Sequence, residues 1–589
     1  MVTYADRPWT KKYDPGVPAS LAPYPAVPIQ YFLKEAAQKN PDRPVLISTA
    51  KLPLLGRNAS ALTYSELDRK SDALAAGLVE MGLKKGSAVA MMMPNIAAFV
   101  ISYYAILKAG GVVAACNPTY PADKLQFQIN DCDAEFVITM SLYYKMIKEI
   151  QPKTKVKTVV VTNVKEYLPP TARFLFTIAR EKKEGHRIEQ LAQGDVWFQD
   201  VLTRSEGKQP NVDVKAEDLA LFQYTGGTTG VSKAAMATHQ ALVCNTLQCK
   251  SFLASQGVPG EKESFLGAIP MFHVFGMVAV LNFAVGLGAR IVLVPNARDI
   301  QEVVEVIDYF KPTLFMGVPA LYNAINNHPD VLSGKVSLRS IRACLSGSAP
   351  LPPSTKREFE RLTGGTLLEG FGMSEAPTAT HCNPLLGENR TGSIGLPMPD
   401  MDMRIVSLDD GVTEMPVGEP GELIMHGPQL MKGYYKMPTE TNNVLREKDG
   451  KLWLYTGDIA RMDEDGYFYI VDRKKDMALI GGFNVYPNNV EKIIADHPAV
   501  LEVGVAAVPH PEKEGQEALK AWVVLRPDMQ ATEQELIEHA AKKLARYEVP
   551  TRFSFVKELP KTAVGKTLRR ELVRLELEER EKANKDKVK

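Results

Sequence analysis

The sequence predicts an α/β fold, on three features. Short apolar runs that suit buried strands alternate with longer stretches of helical periodicity, an order that argues for mainly parallel sheets covered by helices. After about Gly392 short strands lie between Gly/Pro turns, as in "GEPGELIMHGPQLMKGYY" and "GYFYIVDRKKD", which predicts a more β-rich subdomain. Past Asp476 a smaller α/β portion follows.

The elements read in order. "SAVAMMMPN" is an apolar run ending in Pro-Asn, a buried strand, and "IAAFVISYYAILKAGG" is a buried helix stopped by glycines. "EFVITM", "TVVVT", "LALFQY", "ARIVLVP" and "PTLFMGVP" read as further strands, and "DIQEVVEVIDYF" as a helix between them. In the last portion "VGVAAVPH" and "LKAWVVLRP" read as strands and "TEQELIEHAAKKLARY" as a helix. The end, "ELEEREKANKDKVK", reads as a charged helix or frayed tail. Internal repeats and low-complexity tracts are absent.

Composition narrows the function classes. The chain has 589 residues, 45% hydrophobic and 24% charged, which is ordinary for a soluble globular protein. That length implies roughly two to four domains. A net charge of +1 gives no electrostatic case for nucleic acid as a partner. The six cysteines, Cys116, Cys132, Cys244, Cys249, Cys344 and Cys382, form no C-x-x-C pair, so zinc and dithiol redox chemistry are not expected. The opening "MVTYADRPWTKKYDPGVP" has no apolar h-region of a secretory signal. From Ser264 to Ala289 there is no Asp, Glu, Lys or Arg, a stretch long enough to span a bilayer. Pro270, His273, Asn282 and four glycines within it fit a strand, a loop and a buried helix instead.

The most informative stretch is "YTGGTTGVSKAA", Tyr224 to Ala235. Successive N–H groups in a glycine-rich turn form a concave anion site. Thr225, Thr228, Thr229 and Ser232 add hydroxyls, and Lys233 adds a charge that reaches a phosphate. It is not the P-loop pattern, because no glycine precedes the lysine. Four weaker motifs follow. "LLEGFGMSEA" holds a Gly-rich turn before Ser374 and Glu375; "YTGDIA" places Asp458 in a turn suited to a ribose diol; "DRKKD" concentrates Arg473, Lys474 and Lys475; "PKTAVGKTLRREL" sets Lys566 behind a glycine.

In this order and spacing the set resembles the adenylate-forming enzymes: acyl-CoA synthetases, adenylation domains of peptide synthetases and luciferases. The resemblance runs from about Pro25 to Leu572. Several stretches, among them "LKAGGVVAACNPTY", "IPMFHVFGM", "CLSGSAPLP", "GPQLMKGYY", "DRKKDM" with "GGFNVYP" and "ELPKTAVGK", look most like bacterial long-chain fatty-acyl-CoA synthetases. The resemblance implies a large N-terminal AMP- and acyl-binding domain, residues 1–474, and a small mobile C-terminal α+β lid domain, residues 475–589. It implies a carboxylate attacking the α-phosphate of ATP to give acyl-AMP and pyrophosphate, then the thiol of coenzyme A taking the acyl group.

The same resemblance assigns roles. Thr225, Gly226, Gly227, Thr228, Thr229, Gly230 and Lys233 would cradle the β- and γ-phosphates. Glu375, joined by Thr225, would hold Mg²⁺. Gly347, Glu369, Gly370 and Phe371 would frame the adenine, and Ser374 would donate to the α-phosphate. Asp458 would accept from both ribose hydroxyls, assisted by Arg473. Lys566 would hold the attacking carboxylate against the α-phosphate. Lys475 would be the hinge, and Gly481 and Gly482 would line the pantetheine path. His273 would lie near the carboxylate or gate the acyl pocket, with Met271, Phe275, Met277, Val318 and Ala349 as wall residues.

Three departures stand out. The phosphate loop ends Ser232-Lys233-Ala234 where the family usually has Pro-Lys-Gly, and a glycine lost at a position of positive φ would leave alanine strained. Ser374 replaces the commoner threonine. Leu479 stands where some members carry a second lysine. Expected partners are therefore a fatty acid, ATP and coenzyme A, in the cytoplasm. "YLPPTARFLFTIAREKK" is a candidate for peripheral contact with the inner membrane face, or for plain burial. Trp9 and Tyr13 are candidates for packing on a second copy. A medium-chain or aryl carboxylate–CoA ligase of the same family, and a non-catalytic lipid-binding relative, stay open as alternatives.

Overall fold

The computed structural model describes residues 2–52, 56–225, 232–254, 259–481, 483–510, 516–562 and 566–587. The chain packs as two compact units: Trp9–Asp402 with His426–Leu454, and Met1–Pro8 with Met403–Met425 and Tyr455–Lys589. The sequence boundary at Lys475 falls inside the second of these.

The larger unit holds two sheets. A 7-stranded sheet runs in the order Val196–Trp197, Thr158–Thr162, Phe136–Met140, Ala88–Met92, Val112–Ala115, Leu219–Thr225, Lys233–Thr238. All neighbours are parallel except the last pair, an antiparallel hairpin around the glycine-rich stretch. Every residue of Ala88–Met92 is buried, as an unbroken apolar run requires of a strand covered on both faces. Helix Ala97–Lys108 is apolar all round and buried except at Lys108. The 9-stranded sheet is parallel through its centre and antiparallel at both edges. Helix Ile300–Phe310 covers part of it with Val303, Val304, Val306 and Ile307. Asp299 caps the N-terminus by accepting from Glu302 N at 3.0 Å, and Lys311, in the left-handed region, ends it.

The charge-free stretch resolves as strand Ser264–Gly267 and a buried helical run with a π-turn at Met277–Asn282. Among the described residues no helix is long and apolar enough to cross a membrane. Helix Pro170–Ala179 buries Ala172 and Phe176 but leaves Phe174 and Ile178 64% and 66% exposed. Trp9 and Tyr13, the candidates for packing on a second copy, have partners within their own chain. Trp9 is buried, and Tyr13 donates to Pro397 O at 2.7 Å and meets the Phe252 ring edge-on. All six cysteines are buried.

In the smaller unit the second half of strand Lys451–Met462 pairs antiparallel with Phe468–Arg473. A 3-stranded sheet, Val500–Pro509, Glu517–Leu525 and Arg552–Phe555, is covered on both faces. Alternation along its strands divides the core: Val505, Leu519, Ala521 and Val523 pack with helices Pro487–Ala495 and Glu533–Ala541, whereas Ala506, Val508, Trp522 and Val524 pack with Leu572 of helix Arg569–Lys587. That helix is anchored through buried Glu576, which takes Lys520, Arg552 and Arg580 as partners.

Candidate active site

In the larger unit the glycine-rich hairpin is closed at its base. Thr225 faces Lys233 in register, and Ser232 Oγ donates to Thr225 O at 2.7 Å. Gly226, Gly227, Thr228, Thr229 and Gly230 lie outside the described residues. Ala234 is buried in the extended strand Lys233–Thr238 and has no positive φ, so the strain foreseen for alanine at this position does not arise. Lys233 Nζ is ion-paired with Glu440 and lies 5.2 Å over the Tyr434 ring. The Tyr434 hydroxyl donates to Glu375 Oε1 at 2.7 Å. The segment carrying Tyr434 is fixed by the backbone: Met431 N donates to Glu375 O, Met236 N to Gly433 O, and Tyr435 N to Ala234 O, all at 2.9 Å. Tyr434 thus ties the loop lysine to the carboxylate expected to meet a metal. The sequence reading quoted "GPQLMKGYY" only as a resemblance and missed this role.

The turn expected at Gly370–Gly372 is not there. Thr366–Met373 and Ala376–Cys382 are two strands of a hairpin whose turn is Ser374–Glu375 itself. The glycines serve close approach: a Cβ on Gly372 would stand 1.5 Å from Thr378 O, and one on Gly370 2.8 Å from Leu345 Cδ1. Ser374 and Glu375 are therefore presented at a rigid tip. Phe371 is half-buried and meets His381 edge-on. The Glu369 carboxylate accepts from Gly392 N at 2.7 Å, so this side chain buttresses the strand. Gly347 follows the adjacent strand, its N donating to Gly317 O at 3.2 Å, with the Phe275 ring 3.3 Å from where a Cβ would stand.

His273 caps the short helix Val274–Gly276, Nδ1 accepting from Phe275 N at 3.2 Å. Burial pushes its pKa down to about 4. The ring is therefore neutral near pH 7 and carries its proton on Nε2, poised to donate. Of the expected wall residues, Met271, Phe275, Met277 and Val318 are buried and Ala349 is half-buried, and none of them lines the cavity described next. An apolar cavity of this unit, about 40 Å³, is lined by residues including Phe252, Ala279, Phe283, Met316, Ala343 and Met398. Its wall is almost wholly carbon, and two methionines let it adapt.

In the smaller unit Asp458 lies within strand Lys451–Met462 rather than in a turn. Gly457 takes φ +70°, which looks like a break in sequence but bends the strand without ending it. Asp458 pairs across with Arg473 in register, and its Oδ1 is ion-paired with Arg473 Nε at 3.0 Å. Oδ2 is buried and has no hydrogen-bond partner among the described residues. A buried carboxylate oxygen without a donor is costly and marks a place where a donor arrives. Lys566 stands close by. Burial pushes its pKa down to about 8, helped by Arg473 and Lys475 and opposed by Asp458 and Asp476. Thr562 fixes its backbone on both sides: Oγ1 accepts from Lys566 N at 3.1 Å, and Thr562 N donates to Lys566 O at 2.8 Å. Lys474 is paired with Glu422 at 3.1 Å, and Lys475 is exposed. Gly481 takes φ +59° with open space around it, and Gly482 lies outside the described residues.

Residues 33–435 match the family "AMP-binding enzyme" and residues 489–566 the family "AMP-binding enzyme C-terminal domain". A long-chain-fatty-acid–CoA ligase of Bacillus subtilis (strain 168) is 40% identical over 577 residues, 98% of this chain and 99% of that one. One from Yersinia pestis is 36% identical over 569 residues, 96% and 98% of the two chains. The crystal structure of ATP-bound MatB from Rhodopseudomonas palustris superposes with a TM-score of 0.78 at 26% identity, over 93% of this chain and 99% of that one. With both family segments in place over most of its length, the chain belongs to the AMP-binding enzymes.

Proposed function

We propose that the protein activates a long-chain fatty acid with ATP and passes the acyl group to coenzyme A, as an AMP-forming fatty acid–CoA ligase. The observation that carries the nucleotide reading is the lone Asp458 Oδ2, buried beside Arg473 and Lys566. The ribose 2′- and 3′-hydroxyls would supply the missing donors. The fatty-acid reading rests on the carbon-walled cavity and on the name carried by relatives that align along nearly the whole chain.

In the first half-reaction the carboxylate oxygen attacks the α-phosphorus, the bond to the bridging oxygen breaks, and pyrophosphate leaves. Lys566, as the ammonium, would hold carboxylate and α-phosphate together and steady the added negative charge. Lys233 and Thr225 would hold the β- and γ-phosphates, Ser374 the α-phosphate, and Phe371 and Gly347 the adenine. His273 Nε2–H would orient the carboxylate. Among the described residues no three or more His, Cys, Asp or Glu gather as a metal site. Glu375 with Thr225 would hold Mg²⁺ together with phosphate oxygens, which would supply positive charge against the leaving pyrophosphate. In the second half-reaction the sulfur of coenzyme A attacks the acyl carbon and AMP leaves. For this the segment after Lys475 would turn, withdrawing Lys566 and bringing Gly481 and Gly482 to the pantetheine. The apolar face of Phe174 and Ile178, beside exposed Lys182 and Lys183, is where a membrane-surface contact would sit.

The test is AMP formation with ATP, Mg²⁺ and coenzyme A across acetate, octanoate, palmitate and benzoate, with Lys566→Ala as control. Coenzyme A-dependent AMP that peaks at palmitate and collapses in the variant is expected. A peak at octanoate or benzoate would move the acid, and no turnover with any acid would overturn the ligase.

A further inference from the structure

A cluster of charge in the smaller unit is used by neither half-reaction. Arg569, three residues beyond Lys566, is mostly buried and holds four side chains. Nη1 lies 3.4 Å from Asp472 Oδ1 and 3.3 Å from Asp476 Oδ2. Nη2 lies 2.8 Å from Glu491 Oε2 and also bonds Asn488 Oδ1, and Nε donates to Glu491 Oε1 at 3.1 Å. Three carboxylates around one guanidinium leave an excess of negative charge. Burial raises the carboxyl pKa of Asp472 and Glu491, and Arg569 is the chief group pulling each back down. Only a planar fork satisfies this many acceptors in one place.

The sequence positions of the partners matter most. Asp472 and Asp476 flank Lys475, and both are held by the same nitrogen. Rotation of the backbone at Lys475 changes their separation, so it cannot leave both bonds intact. Asp472 is also the neighbour of Arg473, which is ion-paired with Asp458, and Asp472 Oδ1 accepts from Arg473 N at 2.7 Å. One short path thus runs from the strand bearing the ribose carboxylate, through Asp472 and Arg569, to the loop bearing Lys566.

We propose that Arg569 is a latch across the Lys475 hinge, a positioning residue that fixes Lys566 over Asp458 for adenylation and lets go of Asp472 for thioester formation. This rests on the ligase reading above, and its failure is distinguishable from the failure of that reading.

The test separates the half-reactions in Arg569→Lys, which keeps charge and loses the fork, and Asp472→Asn, which leaves Arg569 its bonds to Glu491 and Asn488. Palmitate-dependent ATP–pyrophosphate exchange is expected to fall about ten-fold or more, since small misplacement of reacting groups is costly. Palmitoyl transfer to coenzyme A from supplied palmitoyl-adenylate should stay within about two-fold, because that step does not use the latched geometry. Hydrogen exchange gives a readout free of catalysis. The Asp476 and Met477 amides, bonded to Arg473 O at 2.9 and 3.0 Å, should lose protection in Asp472→Asn while those of helix Glu533–Ala541 keep theirs. Equal loss of both half-reactions, or unchanged exchange at Asp476 and Met477 with unchanged adenylation, would overturn the latch. A wild type silent in both half-reactions would sink the ligase reading; the amide measurement would still report on the latch.

Discussion

Tyr434 donates its hydroxyl to Glu375 at 2.7 Å while the Lys233 ammonium lies 5.2 Å above the same ring. A single aromatic residue so spaces a cation and a carboxylate that come from separate hairpins. Burial, together with Glu375 and Glu440, raises the Tyr434 pKa far above the usual range, so the hydroxyl keeps its proton at any working pH. Tyr434→Phe removes one bond to a charged group, about 1.5–3 kcal/mol by general experience. The concentration of Mg²⁺ giving half-maximal pyrophosphate exchange is expected to rise roughly ten-fold, one decade per ~1.4 kcal/mol. A Mg²⁺ titration of wild type and variant measures it; coincident curves would remove Glu375 from the metal's surroundings.

Lys566 sets a pH limit. With its pKa at about 8, adenylation by the free protein should hold near pH 7, halve at about pH 8 and fall as pH climbs further. Stability moves the other way. The folded-state pKa lies below the ordinary lysine value of 10.5, so between about 8 and 10.5 the unfolded chain binds more protons at this site. This group's contribution therefore favours the fold more as pH rises through that window, and the lost activity is not unfolding. Exchange rates and thermal melts from pH 6.5 upward check both signs.

Ser232 ties down one end of the phosphate loop. Its hydroxyl closes the loop at Thr225 O, a neutral bond of about 1 kcal/mol net. Ser232→Ala is expected to raise KM for ATP about three- to five-fold, with kcat less affected, because ordering the loop then falls to the substrate. Steady-state kinetics in ATP decide it.

The cavity offers a test of chain length. Ala279→Phe puts a ring where Ala279 lines it. The ratio of kcat/KM for palmitate over octanoate should drop about ten-fold or more, within the range that a few methylenes command in an apolar pocket. An unchanged ratio would place the acyl chain elsewhere. A melt measured alongside allows for an overpacking cost of roughly 1–3 kcal/mol.

The sheets were legible because buried strands and helices carry their own periodicity: "SAVAMMMPN", "EFVITM" and "DIQEVVEVIDYF" became Ala88–Met92, Phe136–Met140 and Ile300–Phe310. Glycine misled twice. Gly370 and Gly372 were read as a turn but make room for a crossing backbone, and Gly457 bends a strand that continues past it. In both places a missing Cβ serves tertiary packing, which local pattern does not encode. The charged motif residues Asp458, Arg473 and Lys566 do come together in one unit, although their pairing depends on strand register. Tyr434 and Arg569 escaped notice for the same reason: each acts through partners far along the chain. The expected wall residues Met271, Phe275, Met277, Val318 and Ala349 are not among those lining the cavity described above, whose walls come from strands and helices far apart in sequence.

The burial of all six cysteines has a chemical consequence. Burial raises every one of these thiols, Cys244 to about 11 and Cys132 and Cys249 to about 12, and the others higher still. Thiol–disulfide exchange proceeds through the thiolate on an accessible sulfur, and here neither condition is met. A protein that handles a free thiol as substrate thereby offers it no sulfur of its own to capture. Mixed disulfides with coenzyme A, and inactivation by its oxidised dimer, should be slow until the fold opens.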